Sequence, residues 1–589
     1  MGADNSRGLL LFSEAKPLGP SGLRWLKIQI ANLAGFDKAS MSEREQFTND
    51  HVEDVLDSAN TGLHGKRWWL KAEDPWQCLA ACIELRNALR CSDPTEYMCR
   101  LPIHQDGSCN GLQHYAALGG DKVGAEQVNL EPSDRPSDVY TGVSEFVKQK
   151  VEEEAAAGNE IAQALVGKIT RKIVKQTVMT NVYGVTFMGA MRQVRRQLYD
   201  HYPEMTPQLK KEGALYISRK IFEALGSMFT GAHEIQYWLG DCASRISRSL
   251  SPEQIEQFAQ QALRSESGEK LEEPSKKFRS TVIWTTPLGL PVVQPYRTRK
   301  SRRIRTTLQD LSVVDASSED VISKRKQLQA FPPNFIHSLD ATHMMLSAKA
   351  CNEAGLTFSA VHDSFWTHAG DVDTMNRILR DAFVRMHSDD IIGRLAAEFK
   401  LRYGNHVFLA KIDANHNIGR AVRKARKERG TQQHGKLTEL LDEYRRQKLL
   451  QSDDPASQAE GREMVTAASI FESMGGTDKD IAMASTLGET AVGHIPEDLA
   501  SAERKPSAAV DTSDPAIESL FHEVDMMDSK PISLSEGGAE GEADDEAKPA
   551  RQASKTPYTW MWLPVTIRDV PAKGSWDVSR IKNSEYFFS

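Results

Sequence analysis

Cysteine is scarce in this chain of 589 residues. The seven that occur (Cys78, Cys82, Cys91, Cys99, Cys109, Cys242 and Cys351) are odd in number and scattered, which excludes a disulfide framework. A reducing compartment fits this usage better than secretion. No uninterrupted apolar run approaches the roughly 18 residues of a membrane span, so a transmembrane helix is not expected. The sequence opens with neither a signal peptide nor an arginine-rich, acid-poor transit segment. It also lacks a GxxxxGKS/T loop and a GxGxxG fingerprint, which argues against a nucleotide cradled in a glycine-rich loop.

The residues present support a folded body of ordinary composition, 40% hydrophobic and 26% charged. The net charge of −8 hides a segregation. Residues 451–556 carry 23 Asp/Glu against 8 Lys/Arg, a net of −15, and the remainder carries 58 against 65, a net of +7. Basic residues cluster at Arg171-Lys172 with Lys175, at Arg192-Arg195-Arg196, from Arg297 through Arg305, at Lys324-Arg325-Lys326, and from Arg420 through Arg429. Such islands on a folded body suit a polyanionic partner. Because the acidic stretch is poor in aromatics, it cannot offset the entropy of ordering, and disorder is expected over 451–556. Order is expected to resume at Pro557, where Tyr558, Trp560 and Trp562 come in close succession, and the terminal Tyr586-Phe587-Phe588-Ser589 is expected to dock.

Two segments share one pattern. Tyr97 to Gln105 reads as extended and runs into Asp106-Gly107-Ser108, before a helical pattern from about Asn110. Leu356 to Val361 reads as a short strand, followed by His362-Asp363-Ser364 and the apolar run Phe365-Trp366-Thr367, a hairpin with an acid at its bend. A lone aspartate at a strand end is an ordinary turn or cap residue. Two of them on neighbouring strands would meet at one edge and could hold two divalent ions for in-line phosphoryl displacement. Magnesium suits such a site, because it binds through one or two carboxylates plus substrate phosphates. Between them runs a basic helical pattern, in which Arg171 and Lys175 lie one turn apart and Tyr183 lies about two turns further on, broadly on the same side. Cations at this spacing can grip a triphosphate while the aromatic meets base or sugar.

Asp106-Gly107-Ser108-Cys109-Asn110-Gly111-Leu112-Gln113-His114, Arg171-Lys172-Ile173-Val174-Lys175 running on to Tyr183-Gly184, and Val361-His362-Asp363-Ser364-Phe365 resemble the polymerase motifs of single-subunit, phage-type RNA polymerases. Pro333 to Asp340 resembles a further block of that family, and Tyr586 to Ser589 its aromatic foot. Asn110 and Trp366-Thr367-His368 are more similar to the mitochondrial branch. The resemblance implies a predominantly helical α+β fold, a right hand with palm and fingers, with the thumb and the promoter-reading N-terminal domain expected to be missing. It divides the chain into palm and adjoining helices (1–135), fingers (136–330), palm (331–420), a basic helical extension (421–450), the disordered acidic insert (451–556) and a C-terminal palm segment with foot (557–589). It further implies that Asp106, Asp363 and the Gly107 carbonyl bind two Mg²⁺ ions. Lys175 and Arg171 would contact the triphosphate, with Tyr183, Gly184, Tyr140 and His337 at the nucleotide's sugar.

The implied function is DNA-templated RNA synthesis in the mitochondrial matrix. Its partners would be a DNA template, nascent RNA, ribonucleoside triphosphates and a mitochondrial transcription initiation factor. Two alternatives stand beside it. A DNA polymerase of the related palm family would place a bulky acid shortly after the first aspartate, where this chain has only small or neutral residues. A noncatalytic nucleic-acid-binding fragment would use the basic clusters alone.

Overall fold

The computed structural model describes residues 3–264, 280–298, 301–314, 320–429, 436–482, 495 and 558–589. Helices dominate and small antiparallel sheets lie among them, so the chain is a predominantly helical α+β protein. Among the described residues no helix is long and apolar enough to cross a membrane.

A first layer comprises α1 (Asp4–Gly8), α2 (Gly19–Leu33) and α3 (Pro75–Leu89). Trp25, Leu26, Ile30 and Leu33 of α2 recur at helical spacing and meet Cys78, Ala81, Cys82 and Leu85 of α3 in one buried cluster with Trp69. The Asp4 carboxylate accepts from the backbone N–H groups of Trp76 (2.7 Å) and Gln77 (3.3 Å), which satisfies two orphan donors at the start of α3.

The strand β1 (Pro102–Asp106) then leads into α4 (Asn110–Gly119), which is buried along its whole length. In one buried cluster with α4 lie residues of α5 (Val139–Ala156), α6 (Arg171–Asn181), α7 (Phe187–His201), α8 (Pro207–Met228) and α9 (Thr230–Ser247), the last packed directly on α4. A Cβ on Gly119 would lie 3.1 Å from the Gly231 backbone, so the close approach of α4 to α9 depends on a glycine at both positions.

After the two-residue strand β2 (Ser249–Leu250) comes α10 (Lys324–Glu353), which carries Pro332 and Pro333 in its interior. The apolar side around those prolines is anchored by Phe331 and Phe335 packed against Trp284. Next in the chain are β3 (Ser359–Val361), β4 (Ser364–His368), α11 (Val372–His387) and β5 (Val407–Asp413). Strand β4 is central in an antiparallel sheet of order β1-β4-β3. A second sheet has β5 between β2 and β6 (Tyr558–Pro564).

The expectation of disorder from residue 451 needs correction. Between β5 and β6 lie α12 (Asn417–Glu428), α13 (Lys436–Leu450), α14 (Pro455–Glu463) and α15 (Ala467–Ser473). Residues 451–482 are therefore folded. Ala468, Phe471 and Ile481 are buried, and the backbone N–H of Ala482 donates to the Lys411 carbonyl at 2.8 Å. Composition averaged over the whole acidic stretch merges this folded head with the residues C-terminal to it. The rest of the expected insert, 483–556 apart from residue 495, lies outside the described residues.

Candidate active site

The register of the first sheet decides where the two aspartates fall. Ser364 pairs with Asp106 on one side and with Val361 on the other, so His362 and Asp363 form the two-residue bend between β3 and β4. Asp363 therefore stands one residue from the position opposite Asp106, and both carboxylates occupy one edge of the sheet. His362 adopts φ of +55°, the left-handed conformation a tight hairpin bend requires. Gly107 has no room for a side chain, because a Cβ there would lie 1.7 Å from Asn110 Oδ1.

Both acids are held in a state that costs energy. Both side chains reach the surface, while protein packed around each withdraws part of its water. Desolvation pushes the Asp106 carboxyl pKa up, the Ser364 hydrogen bond opposes this, and the charge of Asp363 adds to the rise. Asp363 is shifted the same way, by desolvation first and then by the charge of Asp340. Asp106 has no salt bridge and neither has Asp363 among the described residues; the nearby Arg7 offsets Asp106 only in part.

The C-terminal residues dock, as their aromatic content leads one to expect, and the structure sets them on this edge. Ser589 N–H donates to the Asp106 carbonyl (3.2 Å), Phe588 bridges Gly107, and Phe588 stacks on Phe365 of β4 with centroids 5.1 Å apart. Tyr586, Phe587 and Phe588 are all buried.

The nucleotide-site candidates also converge. Tyr183 stacks on His337 of α10, centroids 4.9 Å apart and planes 13° from parallel. Tyr183 is not on the face of α6. It lies in the turn after that helix ends at Asn181, and its N–H donates to the Thr180 carbonyl. Gly184 comes next with φ of +78°, which lets the chain leave that turn. Burial, with the charges of Cys109, Asp363 and Asp340, pushes the Tyr183 hydroxyl up to about 12. Burial likewise keeps His337 neutral by lowering its pKa. Tyr140 of α5 is buried beside Cys109, and its ring lies under Arg171 (5.3 Å) and Lys175 (6.0 Å). Arg171 donates to Asp138 at 2.7 Å. Lys175 is exposed and has no ion pair among the described residues.

One carboxylate was missed by reasoning from sequence. Asp340 of α10 accepts from Asn110 Nδ2 at 3.2 Å and lies 3.7 Å from His114 Nε2. His114 Nδ1 is in turn 2.9 Å from His387 Nε2 on α11. With Asp340 anionic, the proton on His114 belongs on Nε2, and His387 then donates to His114. His387 Nδ1 is left as a buried acceptor without a partner, at the wall of a cavity of about 470 Å³ that Lys573 also lines. The only sequence signal for Asp340 was its place in the block from Pro333.

Comparison with known proteins shows the family. The family model for DNA-dependent RNA polymerase matches residues 16–589. The chain belongs to the DNA-dependent RNA polymerase family. Mitochondrial DNA-directed RNA polymerase of Neurospora crassa is 46% identical over 632 residues, covering 100% of this chain and 44% of the relative. The corresponding protein of Schizosaccharomyces pombe is 50% identical over 413 residues (70% of this chain, 34% of the relative). DNA-directed RNA polymerase 1, mitochondrial, of Arabidopsis thaliana is 47% identical over 408 residues (68% and 39%). The chain thus spans less than half the length of these curated relatives.

Polymerases of this family work with divalent metal ions. Among the described residues no group of three or more His, Cys, Asp or Glu side chains converges as a metal site. A pair of carboxylates without cationic partners, each destabilised by desolvation and a neighbouring negative charge, nevertheless fits a hard cation that takes its other ligands from water and phosphate.

Proposed function

We propose that this chain is the catalytic part of a single-subunit polymerase that copies DNA into RNA in the mitochondrial matrix. The observation that carries the reading is the strand register that sets Asp106 and Asp363 on one sheet edge. The Tyr183–His337 stack is electrostatically coupled to that edge. The template, the product and the compartment in this reading follow from the relatives, which are mitochondrial DNA-directed RNA polymerases.

In this reading Asp106, Asp363 and the Gly107 carbonyl would hold two Mg²⁺ ions, which would supply Lewis-acid activation of a hydroxyl nucleophile and charge stabilisation at the leaving oxygen. The protein's own residues do the rest. Lys175, free of ion pairs among the described residues, places its charge against the triphosphate, where charge develops as pyrophosphate leaves. Arg171 serves the same end from a position fixed by Asp138. Tyr183, His337 and Tyr140 bound the sugar. The residues after Asp106 are small or neutral and leave space for a 2′-hydroxyl, which favours ribonucleotides over deoxyribonucleotides. Asp340, with Asn110 and His114, braces the floor between Asp363 and the aromatic pair.

The partners of such an enzyme are a DNA template, nascent RNA, ribonucleoside triphosphates and a mitochondrial transcription initiation factor. The test is magnesium-dependent primer extension by the full-length polymerase, ribonucleotides against deoxyribonucleotides. Extension with ribonucleotides, lost in Asp363→Asn, is expected. Preferential use of deoxyribonucleotides would mean a DNA polymerase, and template binding without extension would mean a noncatalytic fragment.

A further inference from the structure

The basic island from Arg420 through Arg429 takes no part in the site above, yet the fold gives it a defined surface. On α12, Ile418, Gly419 and Val422 face the body, while Arg420, Lys424 and Lys427 repeat along the opposite, exposed side with Arg423 on its flank. Among the described residues a single weak pair, Lys424 to Glu428 at 3.7 Å, interrupts that stripe.

Beside α12 lies one end of the second sheet. Lys411 is opposite Trp560, and Asp413 opposite Tyr558, on the β5–β6 ladder. The same sheet face is covered at its other end, where Leu409 and Trp562 pack with Leu440 of α13. At the Tyr558 end no described residue covers that face as Leu440 does, and Tyr558 and Trp560 are 42% and 37% exposed. Lys411 Nζ lies 3.7 Å from the Tyr558 ring centroid and 6.0 Å from that of Trp560. Lys411 has no ion pair among the described residues, and Arg248 is the charge nearest in effect. Helix and sheet are joined where Arg426 donates to the Trp560 carbonyl at 2.6 Å.

The surface thus offers aromatic faces, a lysine without an ion pair among the described residues, and a cationic helix stripe running alongside. Exposed rings can stack only on bases that are not paired, and the cations match a phosphate chain. We infer that the β5–β6 end and α12 form a binding surface for single-stranded RNA, namely the transcript leaving the enzyme. RNA rather than DNA is the occupant because of the proposed reaction, on which this inference rests: the two DNA strands re-pair, whereas the product departs as a lone strand.

The first test is independent of catalysis. Binding of a labelled oligouridylate to the chain is followed as salt is raised, for the parent, Tyr558→Ala with Trp560→Ala, and Lys424→Gln with Lys427→Gln. Loss of the two rings should weaken binding roughly tenfold or more, and Trp560→Phe should restore part of it. Loss of the two lysines should lower the slope of affinity against salt by about one to two. Melting temperatures of all variants should match the parent. Unchanged affinity without the rings, in a variant that melts normally, would overturn the inference even if primer extension succeeds. The second test places a photoreactive uridine in the transcript of the full-length polymerase. Crosslinks to Lys411, Tyr558 or Trp560 are expected, and crosslinks to them only from a displaced DNA strand would also overturn it. Failure of primer extension with oligouridylate binding intact would count against the polymerase reading alone.

Discussion

Two regions of this molecule set carboxylates against protein and treat them in opposite ways. On α13, Glu443 is 2% exposed, and its charge is answered: Arg446 meets it at 3.0 Å, Thr466 and Gln447 donate to it, and Arg446 also reaches Glu472 at 2.7 Å. At the β1–β4–β3 edge, Asp106 and Asp363 have no salt bridge among the described residues, and each is pushed toward protonation by desolvation and a neighbouring carboxylate. A buried charge that is paired holds the fold together locally. A charge left unpaired at a sheet edge stores instability that something from outside relieves, and that distinction locates chemistry here better than burial does.

The contrast breaks first at the unpaired pair. Asp363→Asn in the full-length polymerase should cut RNA synthesis by roughly a thousandfold or more, because several kcal/mol of transition-state stabilisation depend on that carboxylate. Template affinity should barely change, since phosphate contacts dominate it. Primer extension and filter binding on the same preparation measure both. Arg446→Met should do the reverse. Leaving Glu443 buried without its cation should cost about 3–5 kcal/mol, read by hydrogen exchange across 436–473, while sparing sheet register at the active edge.

Acid sharpens the comparison. His343 is buried against α11, and burial lowers its pKa to about 4 despite the Leu379 carbonyl it contacts. A base whose folded pKa lies below its unfolded value destabilises the fold as pH falls. The loss begins near the unfolded pKa of about 6.5 and is complete near pH 4, amounting to roughly 3 kcal/mol for His343 alone. His387 shifts in the same direction and adds to it. Urea denaturation between pH 7 and 4.5 should show the decline, and His343→Gln should flatten it. The smallest effect is at Tyr183. Removing its hydroxyl in Tyr183→Phe should lower discrimination between ribo- and deoxyribonucleotides by about 1 kcal/mol, the worth of one hydrogen bond, with little change in rate. Competition between the two triphosphates reads this directly.

The catalytic edge is legible in sequence because its signals are local. Short apolar runs ending in Asp-Gly-Ser and His-Asp-Ser declare strand, bend and acid within a few residues, and the helix at Asn110 begins at once. The docked foot is legible for a similar reason, since Tyr586, Phe587 and Phe588 have no place in solvent. Asp340 is not, because its meaning comes from Asn110, 230 residues away, and from the His114–His387 contact, 273 residues apart in sequence. Tyr183 reads as part of a helical face because the periodicity continues past Asn181, whereas the chain turns there. Residues 451–482 read as disordered because the cations that answer their acids lie elsewhere in the chain: Arg445 pairs with Glu460, Arg446 with Glu472 and Arg245 with Asp478, so the net charge of the stretch alone overstates repulsion.

The most direct measurement of the role of the unpaired aspartates is binding of Mn²⁺, followed by electron paramagnetic resonance, together with thermal melting of the parent, Asp106→Asn and Asp363→Asn. In a chelator both variants should melt at or above the parent temperature, since each removes one of two repelling charges. On adding Mn²⁺ the parent should bind it and gain stability, and the variants should lose most of that response. Variants that melt well below the parent in chelator, yet bind Mn²⁺ as the parent does, would show that Asp106 and Asp363 are structural acids and that the metal site lies elsewhere.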